Sequence, residues 1–402
     1  MTTRTTPSRV CPGHDRALDP MRILHTSDWH VGKTIRGESR LAEHASVLAE
    51  IAAVARGEHA DLILVAGDLF ETGAPAPDAE AIVWRALLNL REVAPVVAIA
   101  GNHDNAARFE ALRPVLEGLG IVLRGRVSRP EDGGVVEIAT SAGERARVAL
   151  LPFCSPRYSV RAADLMQLDA AQAAGVYAER LAAIVAVLCA EPDPSAVNLL
   201  VAHCMVRGGV VGGGERAAQT AFEPYWLSST AFPSSLSYAA LGHLHLAQPV
   251  PAGPPAWYCG SPIQVDFGEA GAGKHVLVVD ATATTPAAVR EVALTAGTDL
   301  RTITGSIAEL EAMAGADFDD AWLRVRVEDS GRAGIAAQVR TWLGDRVVEV
   351  RVLGGPRLAT RITERRGRTP YELFEEFLIE QQVDDPRLGA LFAELLDGEM
   401  TP

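Results

Sequence analysis

The chain has 402 residues, 48% of them hydrophobic, and a formal net charge of -14. That length calls for two or three domains with a sizeable core. The acidic balance speaks against a stand-alone nucleic-acid binder but not against an enzyme whose bound cations reverse the local sign, and it points to a partner that helps to hold any nucleic acid.

The opening stretch, 1–20, is polar and lacks the apolar segment of a secretory signal. It reads as a disordered N-terminal extension, with Met21 as a possible alternative start. From Met21 strands and helices alternate. Strands are predicted at Ile23 to His25, Asp61 to Ala66 and Pro95 to Ala100, and helices at Leu41 to Arg56 and Ala79 to Glu92. Such an order implies a largely parallel sheet with helices on its faces, which gathers ligands beyond the carboxyl ends of its strands. Further strands are predicted at Ile121 to Leu123, Val135 to Ile138, Val148 to Leu151, Asn198 to Ala202, Tyr238 to Leu241, Trp257 to Cys259 and His275 to Val279. A helix is predicted at Ala170 to Ala190, and a loop at Pro249 to Pro255.

Near Leu300 the texture changes. Strands at Leu300 to Ile303, Trp322 to Val327 and Val347 to Val352 enclose helices at Ser306 to Ala314 and Ala333 to Leu343, a small α+β module. After a charged linker, Tyr371 to Glu380 and Pro386 to Leu396 read as two amphipathic helices. Leu373, Phe374 and Phe377 form an apolar stripe at helical spacing. No apolar run reaches the roughly 18–20 residues of a membrane span. The five cysteines are odd in number and scattered. They lack any CxxC pair, which argues against disulfides and structural zinc and makes the cytoplasm the expected compartment.

Five strand ends carry groups that can hold a metal: Asp28 with His30, Asp68, Asn102 with His103 and Asp104, His203, and His243 with His245. A lone histidine at a strand end is usually structural, but five such ends in one α/β sheet are hard to explain that way. On an extended backbone Asp28 and His30 would point to the same side. With His103 and Asp104 set aside, seven oxygen and nitrogen donors remain, enough for two divalent ions. Asp68 is the natural bridge, because a carboxylate has two oxygens. The mixed donors suit Mn, Fe or Zn better than Mg. Two such ions can clamp both oxygens of an in-line phosphoryl displacement, in which His103 is a candidate to contact the phosphate or protonate the leaving oxygen, with Asp104 orienting its ring. Gly32-Lys33-Thr34 lacks the upstream glycine of a P-loop, since Ser27 stands in its place. Gly208-Gly209 and Gly212-Gly213-Gly214 could cradle a phosphate but read better as a mobile loop near His203.

These strand ends resemble the five motifs of calcineurin-like metallophosphoesterases. The longer strings Ile23 to Gly32, Val65 to Phe70 and Cys259 to Ile263 are similar to those of the SbcD family of bacterial nuclease subunits, over Met21 to about Phe267. The resemblance implies a four-layer β-sandwich flanked by helices as nuclease domain, 21–295. A small α+β DNA-capping domain, 296–356, and a linker with C-terminal helices, 357–402, docking on the ATPase SbcC would follow. It implies a manganese-dependent 3′→5′ exonuclease and single-strand or hairpin endonuclease for DNA repair, recombination and replication. It also implies a homodimer within a heterotetramer with SbcC. One metal would take Asp28, His30, Asp68 and His245, the other Asp68, Asn102, His203 and His243, with His103 and Asp104 catalytic. Related nucleases often have His where this chain has Glu71. The alternative activity on the same core is a small-nucleotide phosphodiesterase, against which the extra module and helices argue. A scaffold with a vestigial site conflicts with the complete donor set.

Overall fold

The buried strands are runs such as Leu62-Ile63-Leu64-Val65, apolar on both faces because both faces are covered. The computed structural model describes residues 20–140, 144–155, 170–213, 226–329 and 334–353, with a few positions between 374 and 392. The predicted extension, apart from Pro20, and most of the predicted C-terminal segment lie outside the described residues.

The elements are β1 (Met21–Thr26), β2 (Thr34–Ile35), β3 (Glu38–Ser39), α1 (Leu41–Gly57), β4 (Leu62–Val65), α2 (Pro77–Arg91), β5 (Val96–Ile99), α3 (Ala106–Gly118) and β6 (Ile121–Arg124). There follow β7 (Val135–Ala139), β8 (Arg145–Leu151), α4 (Ala170–Leu188), β9 (Val197–His203), β10 (Tyr238–Gly242), β11 (Gln248–Val250) and β12 (Ala256–Tyr258). The last are β13 (Lys274–Ala281), β14 (Ala288–Leu294), β15 (Leu300–Gly305), α5 (Ile307–Ala312), β16 (Trp322–Val327), α6 (Ile335–Leu343) and β17 (Val347–Val352).

Two six-stranded mixed sheets result, in the orders β14-β13-β1-β4-β5-β6 and β11-β12-β10-β9-β8-β7. Side chains alternate along each strand and so enter different cores. Ile23, Leu62, Leu64 and Val97 of one sheet meet Val148, Leu199, Val201 and Ala240 of the other. Leu24, Ile63, Val65 and Val96 turn outward against α1, α2 and α3, while Leu151, Leu200 and Leu241 turn outward against α4. The order is therefore helices, sheet, sheet, helices: a four-layer α/β sandwich. The parallel strands β1, β4 and β5 end side by side, as do β9 and β10.

Between Asn105 and Ile121, where no element is predicted, the chain forms α3. Only Phe109 and Leu116 of this helix are buried and Pro114 lies within it, so its apolar periodicity is weak. Its start is marked instead by Asn105, whose side chain accepts from the Arg108 amide at 3.1 Å. Within the predicted loop at 249–255, Pro249 and Val250 belong to edge strand β11. The described part of the glycine loop is tied to Gln248, which bonds both the Val210 amide and the Val210 carbonyl at 2.7 Å.

Strands β15, β16 and β17 run parallel as a βαβαβ unit. Leu323, Val325 and Val327 pack under Leu310, Ile335 and Val339 in a core of their own. The opposite face meets the sandwich through Leu300, with Ile35 and Phe267. Residues 1–353 form one compact unit and 354–402 a second. Within the second, Phe374 stacks on Phe392 at 4.1 Å between ring centres, while Phe377 and Leu391 are about half exposed, at 51% and 49%. Leu373 lies outside the described residues.

Candidate metal centre

Each strand end leads into a loop whose backbone is bent tightly to aim a side chain. Asp28, His30, Asp68 and His243 all have positive φ, at 52°, 47°, 52° and 109°. L-residues disfavour this region, at a cost of roughly 1–3 kcal/mol each, and such strain persists only where the surroundings impose it. The extended backbone expected for Asp28 and His30 is thus absent. Both side chains still converge with His245, their donor atoms lying within 4.8 Å of one another. The loops hold each other: the Asp28 amide donates to the Gly67 carbonyl at 2.9 Å and the His30 amide to the Asp68 carbonyl at 3.0 Å. Two glycines make room for the candidate ligands. A Cβ on Gly67 would fall 2.3 Å from His203 Nδ1, and one on Gly101 would fall 2.1 Å from Asp68 Oδ1.

All seven candidate donors come together. Asp28, His30, Asp68, His203, His243 and His245 are buried, and Asn102 is half-buried. Asp68 Oδ2 lies 3.7 Å from His30 Nε2 and 3.5 Å from His203 Nε2, between the two groups. On one side, His30 Nε2 faces His245 Nε2 at 3.1 Å. On the other, Asn102 Oδ1 lies 3.0 Å from His203 Nε2 and 2.8 Å from His243 Nδ1.

The remaining ring nitrogens show which atoms are open to a cation. His30 Nδ1 bonds Glu71 Oε2 at 3.0 Å, and His245 Nδ1 bonds Glu269 Oε1 at 2.9 Å. His203 Nδ1 donates to the Ala66 carbonyl at 2.8 Å. With the proton held on Nδ1, each Nε2 presents a lone pair to the centre. A shared proton or a bound cation would satisfy the facing Nε2 atoms of His30 and His245. The electrostatics favour positive charge: burial alone would lower the His203 pKa, but Asp68 outweighs it and pushes the value up to about 9. Burial likewise opposes ionisation of Glu71 and Glu269, yet their histidine and lysine partners, His30 with Lys33 and His245 with Lys274, pull both down to about 2. His243 goes the other way, to about 3, through burial and the neighbouring His203. Mixed imidazole, carboxylate and amide donors in a net-attractive pocket fit divalent ions.

The structure gives Asp104 a different task from the predicted one. Its carboxylate accepts from the amides of Gly101, Leu69 and Phe70 at 2.8, 3.2 and 3.0 Å, tying two strand-end loops together. The ring of His103 is held instead by the Glu71 carbonyl, 2.8 Å from Nδ1. Adjacent side chains on a loop diverge, so Asp104 faces the backbone while His103 faces the centre. His103 is half-buried, whereas the four candidate ligand histidines are buried.

Residues 21–146 match the calcineurin-like phosphoesterase family, and residues 297–382 match a family described as the type 5 capsule protein repressor C-terminal domain. The D subunit of nuclease SbcCD from Bacillus subtilis is 35% identical over 285 residues, 70% of this chain and 71% of that one. The chain belongs to the SbcD family. The D subunits from Rhodobacter capsulatus, at 34% identity over 65% of this chain and 66% of that one, and Escherichia coli K12, at 29% over 64% of each, are similar to it as well. The alignments thus span about two thirds of these relatives.

As an SbcD-family member the chain is a metallophosphoesterase, a metal-dependent phosphodiester hydrolase. Among the described residues no helix is long and apolar enough to cross a membrane, and none of the four described cysteines is in a disulfide. Sequence reasoning missed Glu269, which lies in the turn 267–269 and is buried beside His245. No local pattern marks it; its proximity to Cys259-Gly260-Ser261-Pro262 was the available signal, since Ser261 Oγ bonds it at 3.2 Å.

Proposed function

We propose that this chain is the nuclease subunit of an SbcCD-type complex. It would cleave DNA with two divalent ions, most readily Mn, as a 3′→5′ exonuclease and a single-strand or hairpin endonuclease in repair and recombination. The observation that carries this reading is Asp68 Oδ2 placed between His30 and His203, with the other donors divided on its two sides. The proposed sets are Asp28, His30, Asp68 and His245 for one ion, and Asp68, Asn102, His203 and His243 for the other. When bound, two ions supply electrostatic stabilisation of an in-line phosphoryl displacement. His103, reachable and oriented by the Glu71 carbonyl, would contact the phosphate or protonate the leaving oxygen. Asp104 would support catalysis only by holding the loops.

The proposed organisation is a nuclease domain at 21–295, a DNA-capping module at 296–356 and a docking segment at 357–402, in a homodimer that binds SbcC in the cytoplasm. Exposed apolar anchors carry most of the affinity in helix-in-groove contacts. Phe377 and Leu391 are the exposed candidates, whereas Phe374 is engaged with Phe392. The test is manganese-dependent digestion of duplex and hairpin DNA, with and without SbcC, for the full chain and one lacking 371–402. The full chain should digest DNA and co-purify with SbcC, and the truncated chain should digest DNA but lose SbcC. Turnover of small nucleotide diesters with no attack on DNA would replace the nuclease with a phosphodiesterase. SbcC binding at unchanged affinity after truncation would move the docking site elsewhere.

A further inference from the structure

Glu71 and Glu269 lie far apart in sequence but are arranged alike. His30 Nδ1 bonds Glu71 Oε2 at 3.0 Å, and Glu71 Oε1 accepts from Lys33 Nζ at 2.8 Å. His245 Nδ1 bonds Glu269 Oε1 at 2.9 Å, and Glu269 Oε2 accepts from Lys274 Nζ at 2.5 Å. Both imidazoles that meet through Nε2 are therefore backed by a carboxylate, which is itself fixed by a lysine. Glu269 is also held by the Val265 amide at 3.3 Å.

The opposite side of Asp68 is built differently. His203 Nδ1 donates to a neutral carbonyl, that of Ala66. His243 turns Nδ1 itself toward Asn102, and the Phe153 ring stacks on it with centres 6.2 Å apart. Asn102 brings an uncharged oxygen where Asp28 brings a charged one. A carboxylate on the far nitrogen fixes an imidazole and raises its basicity as a ligand, an effect commonly worth about 10- to 100-fold in metal affinity. A carbonyl fixes the ring without supplying a full charge.

We infer that the two metal positions are built to unequal strength. Glu71 and Glu269 are the positioning residues that make the position formed by Asp28, His30, Asp68 and His245 the tighter one. This inference rests on the two-metal reading above. Its test is calorimetric titration of Mn²⁺ into the metal-stripped full chain. The wild-type chain should bind two ions in two affinity classes. Glu269→Gln should weaken the tighter class by about 10- to 100-fold and leave the weaker class unchanged. Glu71→Gln, at a more accessible position, should do the same and serves if the buried Glu269→Gln chain does not fold. Two ions of equal affinity in the wild type would overturn the inference while leaving the two-metal reading intact. So would unchanged tight binding in both folded variants. A wild-type chain that binds fewer than two Mn²⁺ ions overturns the two-metal reading and the inference with it.

Discussion

The two sheets of the sandwich bring different chemistry to the centre. The sheet containing β1, β4 and β5 supplies every candidate oxygen donor, Asp28, Asp68 and Asn102, and one imidazole, His30. The sheet containing β9 and β10 supplies imidazoles alone, His203, His243 and His245. Neither sheet completes a position: the first lacks His203, His243 and His245, and the second lacks Asp28, His30, Asp68 and Asn102. The apolar layer between the sheets therefore sets the distances between the candidate donors, although none of its own side chains is among them. The division also explains the close contacts across the gap. The His203 ring reaches the Ala66 carbonyl and fits only because Gly67 has no side chain. The His243 amide donates to both Asp28 oxygens at 3.1 Å.

The comparison separates residues that do chemistry from those that hold the sheets. His103 stands on a strand-end loop of the oxygen-rich sheet and is proposed to act on substrate rather than metal. His103→Ala should lose about 10²- to 10⁴-fold in single-turnover DNA cleavage while keeping two Mn²⁺ ions and DNA binding. Loss of an ion would recast His103 as a ligand, and near-normal cleavage would make it structural. Leu199 lies in the layer between the sheets and is 1% exposed. Leu199→Ala should cost about 2–5 kcal/mol of stability in denaturant unfolding, with two Mn²⁺ ions still bound at saturation by the folded chain. A loss below about 1 kcal/mol would mean that this layer does not hold the sheets together.

Much of the sandwich was legible because each doubly covered strand is an unbroken apolar run. A polar cluster at the end of such a run stands out, and so Asp68, His203 and His243 could be found without coordinates. What escaped depends on geometry that has no sequence period. Helix α3 shows only two buried residues, too few to form a stripe. The positive φ of Asp28 and His30 is imposed by hydrogen bonds to a different loop, so an extended stretch was expected in its place. Asp104 follows His103 directly, which suggested partnership; its carboxylate instead ties the loops of two strands. Glu269 becomes meaningful only once folding sets it against His245.

The claim that most needs a direct test is that Asp68 joins donors from both sheets into one two-metal centre. Its Oδ2 lies within 3.7 Å of an imidazole nitrogen from each sheet, His30 Nε2 and His203 Nε2. Elemental analysis of manganese in the purified wild-type and Asp68→Ala chains, both checked for native folding, measures this directly. The expected result is two ions per wild-type chain and a loss of metal in the variant, together with its DNA cleavage. Two ions retained by a folded Asp68→Ala chain would contradict the bridge.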